Sequence, residues 1–337
     1  MTEDDASVVL RVEQLRTVFH TVAGTAVAVD GVSYELAAGD TLAVVGESGS
    51  GKSVTALSLM GLVASPPGRV EGGKVWYGGR NLLKLKETEL EKVRGAEIAM
   101  IFQEPMSSLN PVLTIGRQLT ETIVEHEGRD GAWQKAVEML RLVQMPEPER
   151  RMTQYPHQLS GGMLQRVMIA IALSCNPKVL IADEPTTALD VTIQAQILDL
   201  MRGLQDRFGT AIVLITHDLG VVAEMADHVI VMYAGRKVEE GEVEAIFEAP
   251  RHPYTRGLMD ALPHLSLMQG QEKRERLAEI PGIVPPLTNL PPGCRFAPRC
   301  ALATERCRAE NPPFEEKSRA HWAACWESDK VRPTHGR

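Results

Sequence analysis

Three segments rich in β-branched and aromatic residues stand near the start of the chain. They cover residues 8–15, 26–36 and 74–77, and glycine bounds them. Branched and aromatic side chains pack well on a pleated surface, so this composition favours extended backbone. The pattern predicts short strands joined by turns.

Further along, apolar runs alternate with stretches of helical periodicity. The runs cover residues 41–46, 97–102, 178–183, 211–216 and 228–233. Strands that are buried on both faces lack the alternation of apolar and polar residues, and helices between them favour parallel pairing. The chain is therefore predicted to be an α/β protein, with a mostly parallel sheet covered on both faces.

Between residues 110 and 160 the pattern is mainly helical. Trp133, Val137, Leu140 and Val143 recur at three- and four-residue spacing, which places them on one helix face. We expect this stripe to be buried by packing rather than to bind a ligand.

After about residue 250 the character of the chain changes. Six prolines lie between Pro281 and Pro298, and four cysteines lie between Cys294 and Cys325. Such composition predicts a separate, loop-rich appendage rather than a continuation of the sheet.

The charge balance narrows the function classes. The 337 residues include 44 acidic and 36 basic side chains, a net charge of −8. Sequence-independent binding of nucleic acid requires concentrated positive charge, so no nucleic-acid partner is expected. No apolar run is long enough to span a membrane, and the acidic N-terminus does not resemble a secretory signal. We therefore expect a cytosolic location, where cysteines are thiols or metal ligands.

One glycine-rich segment matches the P-loop pattern between a predicted strand and a predicted helix. It consists of Gly46, Glu47, Ser48, Gly49, Ser50, Gly51, Lys52 and Ser53. Glycines let backbone N–H groups curl around phosphates, and the helix presents its positive end to them. Lys52 would reach the β- and γ-phosphates of ATP, and Ser53 would ligate Mg²⁺.

Two carboxylates follow the apolar run 178–182. Asp183 is expected to hold Mg²⁺, and Glu184 to act as the general base that activates the attacking water. Alone, such a pair could equally be a solvated strand end or a helix cap. Its combination with the P-loop favours catalysis.

A second anion-binding helix terminus is predicted at Ser160, Gly161 and Gly162, because an N-capping serine and two glycines precede an apolar helix. Together with Gln165, these residues resemble the signature motif of ATP-binding-cassette (ABC) proteins. In that family, the signature of one subunit closes over the ATP that is held by the P-loop of another.

The resemblance implies roles for four further residues. Gln103 is similar to the glutamine that senses the membrane partner and contributes to the metal site, and Asp190 to a loop at the dimer interface. His217 resembles the switch histidine that contacts the γ-phosphate, and Phe19 stands where the family has an aromatic residue that stacks on adenine.

The implied fold is a P-loop NTPase cassette with a mostly parallel core sheet, an antiparallel β subdomain and a helical subdomain, followed by an extension rich in cysteine and proline. The expected boundaries are residues 1–250 for the cassette, about 104–176 for its helical subdomain, and 251–337 for the extension. ATP and Mg²⁺ are the implied cofactors.

Several segments resemble the oligopeptide/dipeptide importers in particular. They surround the P-loop, Gln103, the signature and Asp183, and include the sequence from His252 into the proline-rich region. The resemblance implies an ATP-hydrolysing subunit for peptide uptake, peripheral to the cytoplasmic face of the cell membrane. Its expected partners are a second, homologous ATP-binding subunit in a heterodimer, two permeases and an extracytoplasmic binding protein. Leu164 departs from relatives that have a basic residue there.

The four cysteines of the extension leave three alternatives open. Cys294, Cys300, Cys307 and Cys325 lack the paired spacing of common zinc sites. Four thiolates on a loop-rich segment suit a [4Fe–4S] cluster, and some relatives of the importer group have one. Zinc and uncoordinated thiols are the other two possibilities.

Other functions also remain open. Nickel importers share this ATPase subfamily, and the solute cannot be identified from this chain. A soluble ABC ATPase of DNA repair or translation would usually have a coiled-coil insertion or two cassettes, and neither is visible. A metal or redox sensor acting through the cysteines is a third alternative.

Overall fold

The computed structural model describes residues 8–186, 191–261 and 279–333. Its strands are β1 (Val8–Thr21), β2 (Gly24–Ala37), β3 (Thr41–Val45), β4 (Gly68–Tyr77), β5 (Arg80–Asn81), β6 (Ile98–Ile101), β7 (Val179–Asp183), β8 (Ala211–Ile215), β9 (His228–Tyr233), β10 (Arg236–Glu242), β11 (Glu315–Ser318) and β12 (His321–Ala323). All of the strands predicted above are present, and the predicted α/β class is confirmed.

The helices are α1 (Lys52–Leu59), α2 (Glu87–Val93), α3 (Pro105–Ser108), α4 (Ile115–Glu127), α5 (Ala132–Leu142), α6 (Pro148–Arg151), α7 (Gly161–Leu173), α8 (Val191–Phe208), α9 (Leu219–Met225), α10 (Val243–Glu248), α11 (Pro253–Asp260) and α12 (Glu305–Ala309). No helix in the described part of the chain is both long and apolar enough to cross a membrane.

Two sheets organise the cassette. A four-stranded sheet of order β2-β1-β4-β5 is antiparallel throughout. The larger sheet has the order β11-β12-β10-β9-β3-β8-β7-β6, and its strands from β9 to β6 are parallel. One buried cluster packs the two sheets around α1. Because neighbouring parallel strands end at one edge, the loops after β3, β7 and β8 meet there.

The helical part between β6 and β7 packs on the other side of the larger sheet. Its core includes Val137, Leu140 and Val143, as predicted. Trp133 was wrongly assigned to the buried stripe, because 47% of it is exposed. The buried face of α5 is formed by Ala132 and the residues that follow at helical spacing.

The extension continues the larger sheet, contrary to the prediction of a separate appendage. His321–Ala323 pairs antiparallel with Arg236–Glu242, and β11 adds an edge strand. The cysteine- and proline-rich segment packs Phe296 against Tyr233, with ring centroids 5.2 Å apart. The composition of this segment correctly indicated loops. It did not indicate that β12 and β11 would extend the larger sheet at its β10 edge.

Candidate ATP site

The phosphate-binding loop, Gly46–Ser53, joins β3 to α1, as predicted. Gly46 has φ of +150° and Gly51 has φ of +102°. A Cβ atom on Gly46 would lie 2.2 Å from the carbonyl oxygen of Met232, and one on Gly51 would lie 2.3 Å from that of Ala28. Neighbouring backbone therefore leaves room only for glycine at both positions.

Two polar side chains of this loop, those of Lys52 and Ser50, are buried. The Lys52 ammonium donates hydrogen bonds to the carbonyl oxygens of Gly46 and Glu47, at 2.7 and 3.1 Å. Among the residues that the structure describes, the buried hydroxyl oxygen of Ser50 has no hydrogen-bond partner. A buried polar atom without a partner is costly, and an anion in the loop would supply what these groups lack.

Asp183 ends β7 beside the first turn of α1. The Ser53 hydroxyl donates to its carboxylate at 3.0 Å. Burial raises the pKa of Asp183, while the Ser53 hydrogen bond lowers it. Burial lowers the pKa of Lys52, while the charges of Glu184, Asp183 and Glu47 raise it. A hydroxyl and a buried carboxylate side by side are oxygen donors that suit Mg²⁺.

Glu184 lies at the centre of a three-residue arrangement. Its backbone has φ of +48°, a strained conformation for a residue other than glycine, and its N–H donates to the Ile215 carbonyl at 2.8 Å. Gln103 donates its amide N–H to one carboxylate oxygen at 3.1 Å, and Nδ1 of His217 lies 3.2 Å from the other. The structure thus brings together three residues from different loops, each of which was predicted to belong to the ATP site.

The signature segment forms a helix terminus that is open to solvent. Ser160 occupies the N-cap position of α7, but its hydroxyl makes no capping hydrogen bond. Among the described residues, a Cβ atom on Gly161 would have no neighbour within 4 Å, and one on Gly162 would touch Ile193 alone. The backbone N–H groups at this terminus are accessible to an anion.

Gln165 is buried, unlike the solvent-open terminus formed by Ser160, Gly161 and Gly162. Its buried side-chain amide donates to the Pro185 carbonyl at 2.6 Å, directly after Glu184. Leu164 is also buried, in the core of the helical part.

For two further predicted residues, Phe19 and Asp190, the assigned role stays a prediction. Phe19 lies on β1 opposite Ala26 and Gly68, and is half-buried there. Asp190 lies outside the described residues. Contact of Phe19 with adenine therefore stays a prediction.

The four cysteines of the extension line one small cavity together with His252 and Trp326. Burial raises the pKa values of the Cys294, Cys300 and Cys325 thiols. Over residues 8–186, 191–261 and 279–333, no three Cys, His, Asp or Glu side chains are arranged to hold a metal ion. Apart from the four cysteines lining one cavity, the geometry gives the predicted iron–sulfur site no support.

Sequence reasoning missed the partners of the loop that come from the extension. Tyr254 accepts a hydrogen bond from the Glu47 N–H, and Arg299 pairs with the Glu47 side chain. No periodicity or motif could reveal these contacts, because the residues are distant in the chain.

Two family profiles match this chain. The profile described as ABC transporter matches residues 29–187, and the profile for the oligopeptide/dipeptide transporter C-terminal region matches residues 238–307. The second match includes most of β10 and three of the four cysteines of the extension.

Relatives match over nearly the whole length. The probable peptide ABC transporter ATP-binding protein y4tR of Sinorhizobium fredii is 52% identical over 97% of each chain. The oligopeptide transport protein OppD of Bacillus subtilis is 50% identical over 96% of this chain and 91% of its own. The dipeptide transport protein DppD of Escherichia coli is 49% identical over 96% and 99%.

Solved structures agree with the fold. The dimeric cassette MJ0796, in a post-hydrolysis state bound to ADP and Pi, has a TM-score of 0.63 at 27% identity, over 69% of this chain and 98% of its own. A P-loop, a strand ending in two carboxylates and these full-length relatives lead to one conclusion: the chain belongs to the ABC transporter family of ATP-binding subunits and is an ATPase of that family.

Proposed function

We propose that this chain energises a membrane importer of peptides. The observation that carries the proposal is identity of about 50% with ATP-binding proteins named for peptide transport, extending across the C-terminal region. The match of residues 238–307 to the oligopeptide/dipeptide transporter region supports the same substrate class. The chain would act at the cytoplasmic face of the membrane, as a peripheral subunit.

Hydrolysis in this site would rest on positioning and on neutralisation of charge. Lys52 and the amides of the loop would bind the β- and γ-phosphates, with the hydroxyl of Ser50 as one more donor. Bound Mg²⁺, held by Ser53 and Asp183 with Gln103 nearby, would neutralise phosphate charge. Glu184 would accept the proton of the attacking water, and His217 would hold that carboxylate and contact the γ-phosphate.

A second ATP-binding subunit would complete the site. The open terminus at Ser160, Gly161 and Gly162 has no ligand from its own chain among the described residues, so it is suited to the phosphates of an ATP held by a partner. We propose a heterodimer with a homologous subunit, bound to two permeases and served by an extracytoplasmic binding protein. Asp190 would lie at the interface of the two subunits.

The test is the ATPase activity of the complete complex, assembled in membranes with its binding protein. Short peptides should stimulate hydrolysis, and Ni²⁺ should not. Stimulation by Ni²⁺ alone would overturn peptide import in favour of nickel import. Activity that is indifferent to both, and to the permeases, would favour a soluble ATPase.

We further propose that the cysteine cavity holds a [4Fe–4S] cluster. The supporting observation is that the four thiols line the same cavity, since four thiolates form the usual ligand set of such a cluster. Burial raises the pKa values of three of these thiols, and bound iron would counteract that effect because it stabilises the thiolate form. Zinc and free thiols are the competing states.

Iron and sulfide analysis of anaerobically prepared protein decides between these states. Equal amounts of iron and sulfide are expected, and they should be lost in Cys307→Ser but kept in Cys175→Ser, because Cys175 lies outside the cavity. Stoichiometric zinc, or full titration of the thiols without iron, would overturn the cluster.

A further inference from the structure

An ion pair joins the extension to the phosphate-binding loop. The two terminal nitrogens of Arg299 donate to the two carboxylate oxygens of Glu47, at 2.6 and 3.0 Å. Two parallel, charge-assisted bonds fix the orientation of both groups as well as their distance. The Arg299 side chain is only 4% exposed, whereas that of Glu47 is 31% exposed.

The guanidinium is held from several other directions. It donates hydrogen bonds to the carbonyl oxygens of Pro281 and Ile280, at 2.9 and 3.2 Å. The rings of Tyr233 and Phe296 lie beside it, with centroids 5.8 and 5.9 Å away. A charged group with so many fixed contacts is a rigid anchor rather than a mobile surface side chain.

Glu47 is in turn fixed at its backbone. Its N–H donates to the Tyr254 hydroxyl at 2.7 Å, and its carbonyl accepts from the Lys52 ammonium and the Ser50 N–H. The first turn of the loop is thus bound by α11 through the backbone and by Arg299 through the side chain. Both Tyr254 and Arg299 belong to the extension, residues 251–337.

The charge of Glu47 matters for an anionic ligand. Its carboxylate is close enough to Lys52 to be among the charges that raise the pKa of that ammonium. Without compensation, the same negative charge would repel the phosphates that Lys52 attracts. Arg299 supplies the compensation from within a mostly buried position, where screening by salt is weak.

We propose that Arg299 is a positioning residue of the ATP site, which neutralises Glu47 and fixes the first turn of the phosphate-binding loop. The extension is then a part of the nucleotide site. Its contribution is made before hydrolysis, so it should affect ATP affinity more than the chemical step.

The test measures nucleotide binding and steady-state hydrolysis by the full chain in its complex. Arg299→Gln should raise the KM and the Kd for ATP about tenfold, because an uncompensated carboxylate remains beside the triphosphate. The loss should be smaller for ADP, which carries less charge, and kcat should change little. Arg299→Lys, which keeps the charge, should retain most of the affinity.

A second substitution separates charge compensation from a merely structural role. Adding Glu47→Gln to Arg299→Gln removes the repelling charge and should restore most of the ATP affinity. Arg295→Gln is the matched control, because Arg295 is also buried in the extension but pairs with Asp30 of the cassette. Its Kd for ATP should stay within about twofold of the wild type.

Several outcomes would overturn the proposal. They are an unchanged Kd in Arg299→Gln, an equal loss for ATP and ADP, or a double variant as weak as Arg299→Gln alone. Should Arg299→Gln fail to fold, Glu47→Gln decides by itself. In Glu47→Gln the positive charge of Arg299 is no longer compensated, so ATP should bind at least as tightly as in the wild type. A tenfold loss of ATP affinity would refute the positioning role of Arg299.

Discussion

The imidazole of His217 contacts the carboxylate of Glu184 at 3.2 Å. The two residues follow neighbouring parallel strands, so the sheet itself brings them together. Glu184 is mostly buried, with its side chain 14% exposed, whereas the His217 side chain is 63% exposed. The carboxylate is therefore the fixed member of the pair, and the histidine is free to reach a ligand from the open side.

Replacing Glu184 by Gln should separate ATP binding from turnover. The amide keeps the shape of the side chain but cannot accept a proton from water. We expect kcat to fall by about a hundredfold or more, while the Kd for ATP stays close to that of the wild type. Rapid-quench hydrolysis and equilibrium nucleotide binding measure the two quantities. Unchanged turnover would remove the assignment of Glu184 as the base.

The glycines of the phosphate-binding loop should differ in their tolerance to alanine. In Gly46→Ala the new methyl group would collide with the Met232 carbonyl, whereas around Gly49 there is open space. Both glycines have positive φ, so alanine strains the backbone at either position. At Gly49 this strain, about 1 kcal/mol, is the whole cost, because no collision is added to it. We expect Gly46→Ala to abolish ATP binding and Gly49→Ala to retain it. Equal binding by the two variants would contradict the steric explanation.

Local patterns in the sequence were sufficient for eight of the twelve described strands, and for the positions of the glycine-rich loop after β3 and the two carboxylates at the end of β7. The spacing of glycines around Lys52 specifies a loop that binds phosphate, and an apolar run that ends in Asp183 specifies a buried strand with a polar end. These features depend on neighbours in the chain, so periodicity and motif reveal them.

Long-range pairings could not be predicted in the same way. Arg299 pairs with Glu47, and β12 pairs with β10, because folding brings together segments that are distant in the sequence. A buried arginine in a proline-rich segment has no periodic signature, and a three-residue strand is too short for alternation to be seen. Trp133 shows a different error, because it was predicted to be buried and is exposed. Helical spacing identifies which residues share a face, but it does not show where the buried part of that face ends.

Gln165 should support Glu184 through the backbone. Its amide donates to the Pro185 carbonyl within the protein interior. Gln165→Leu would remove the hydrogen bond that this buried oxygen accepts, at a cost of about 1–3 kcal/mol in the free energy of unfolding. We also expect kcat to fall while the Kd for ATP is retained. Urea unfolding and single-turnover hydrolysis measure these effects, and a stable variant with normal kcat would disprove the link.

The buried pair of Glu239 and His321 should hold the end of the extension on the sheet. Their side chains are 0% and 1% exposed, and Nε2 of His321 lies 2.7 Å from a Glu239 oxygen. The same carboxylate accepts the backbone N–H of His252 at 2.9 Å, so it also fixes the start of α11.

His321→Leu should lower the free energy of unfolding by about 3 kcal/mol, because the buried carboxylate of Glu239 loses the imidazole as one of its hydrogen-bond partners. Glu239→Gln in the same background should recover part of the loss. Lys330→Ala is the control: its ion pair with Glu327 leaves the lysine side chain 63% exposed, and its loss should cost under about 1 kcal/mol. Urea titration of all three variants gives these values. Equal losses in His321→Leu and Lys330→Ala would show that the buried pair does not anchor the extension.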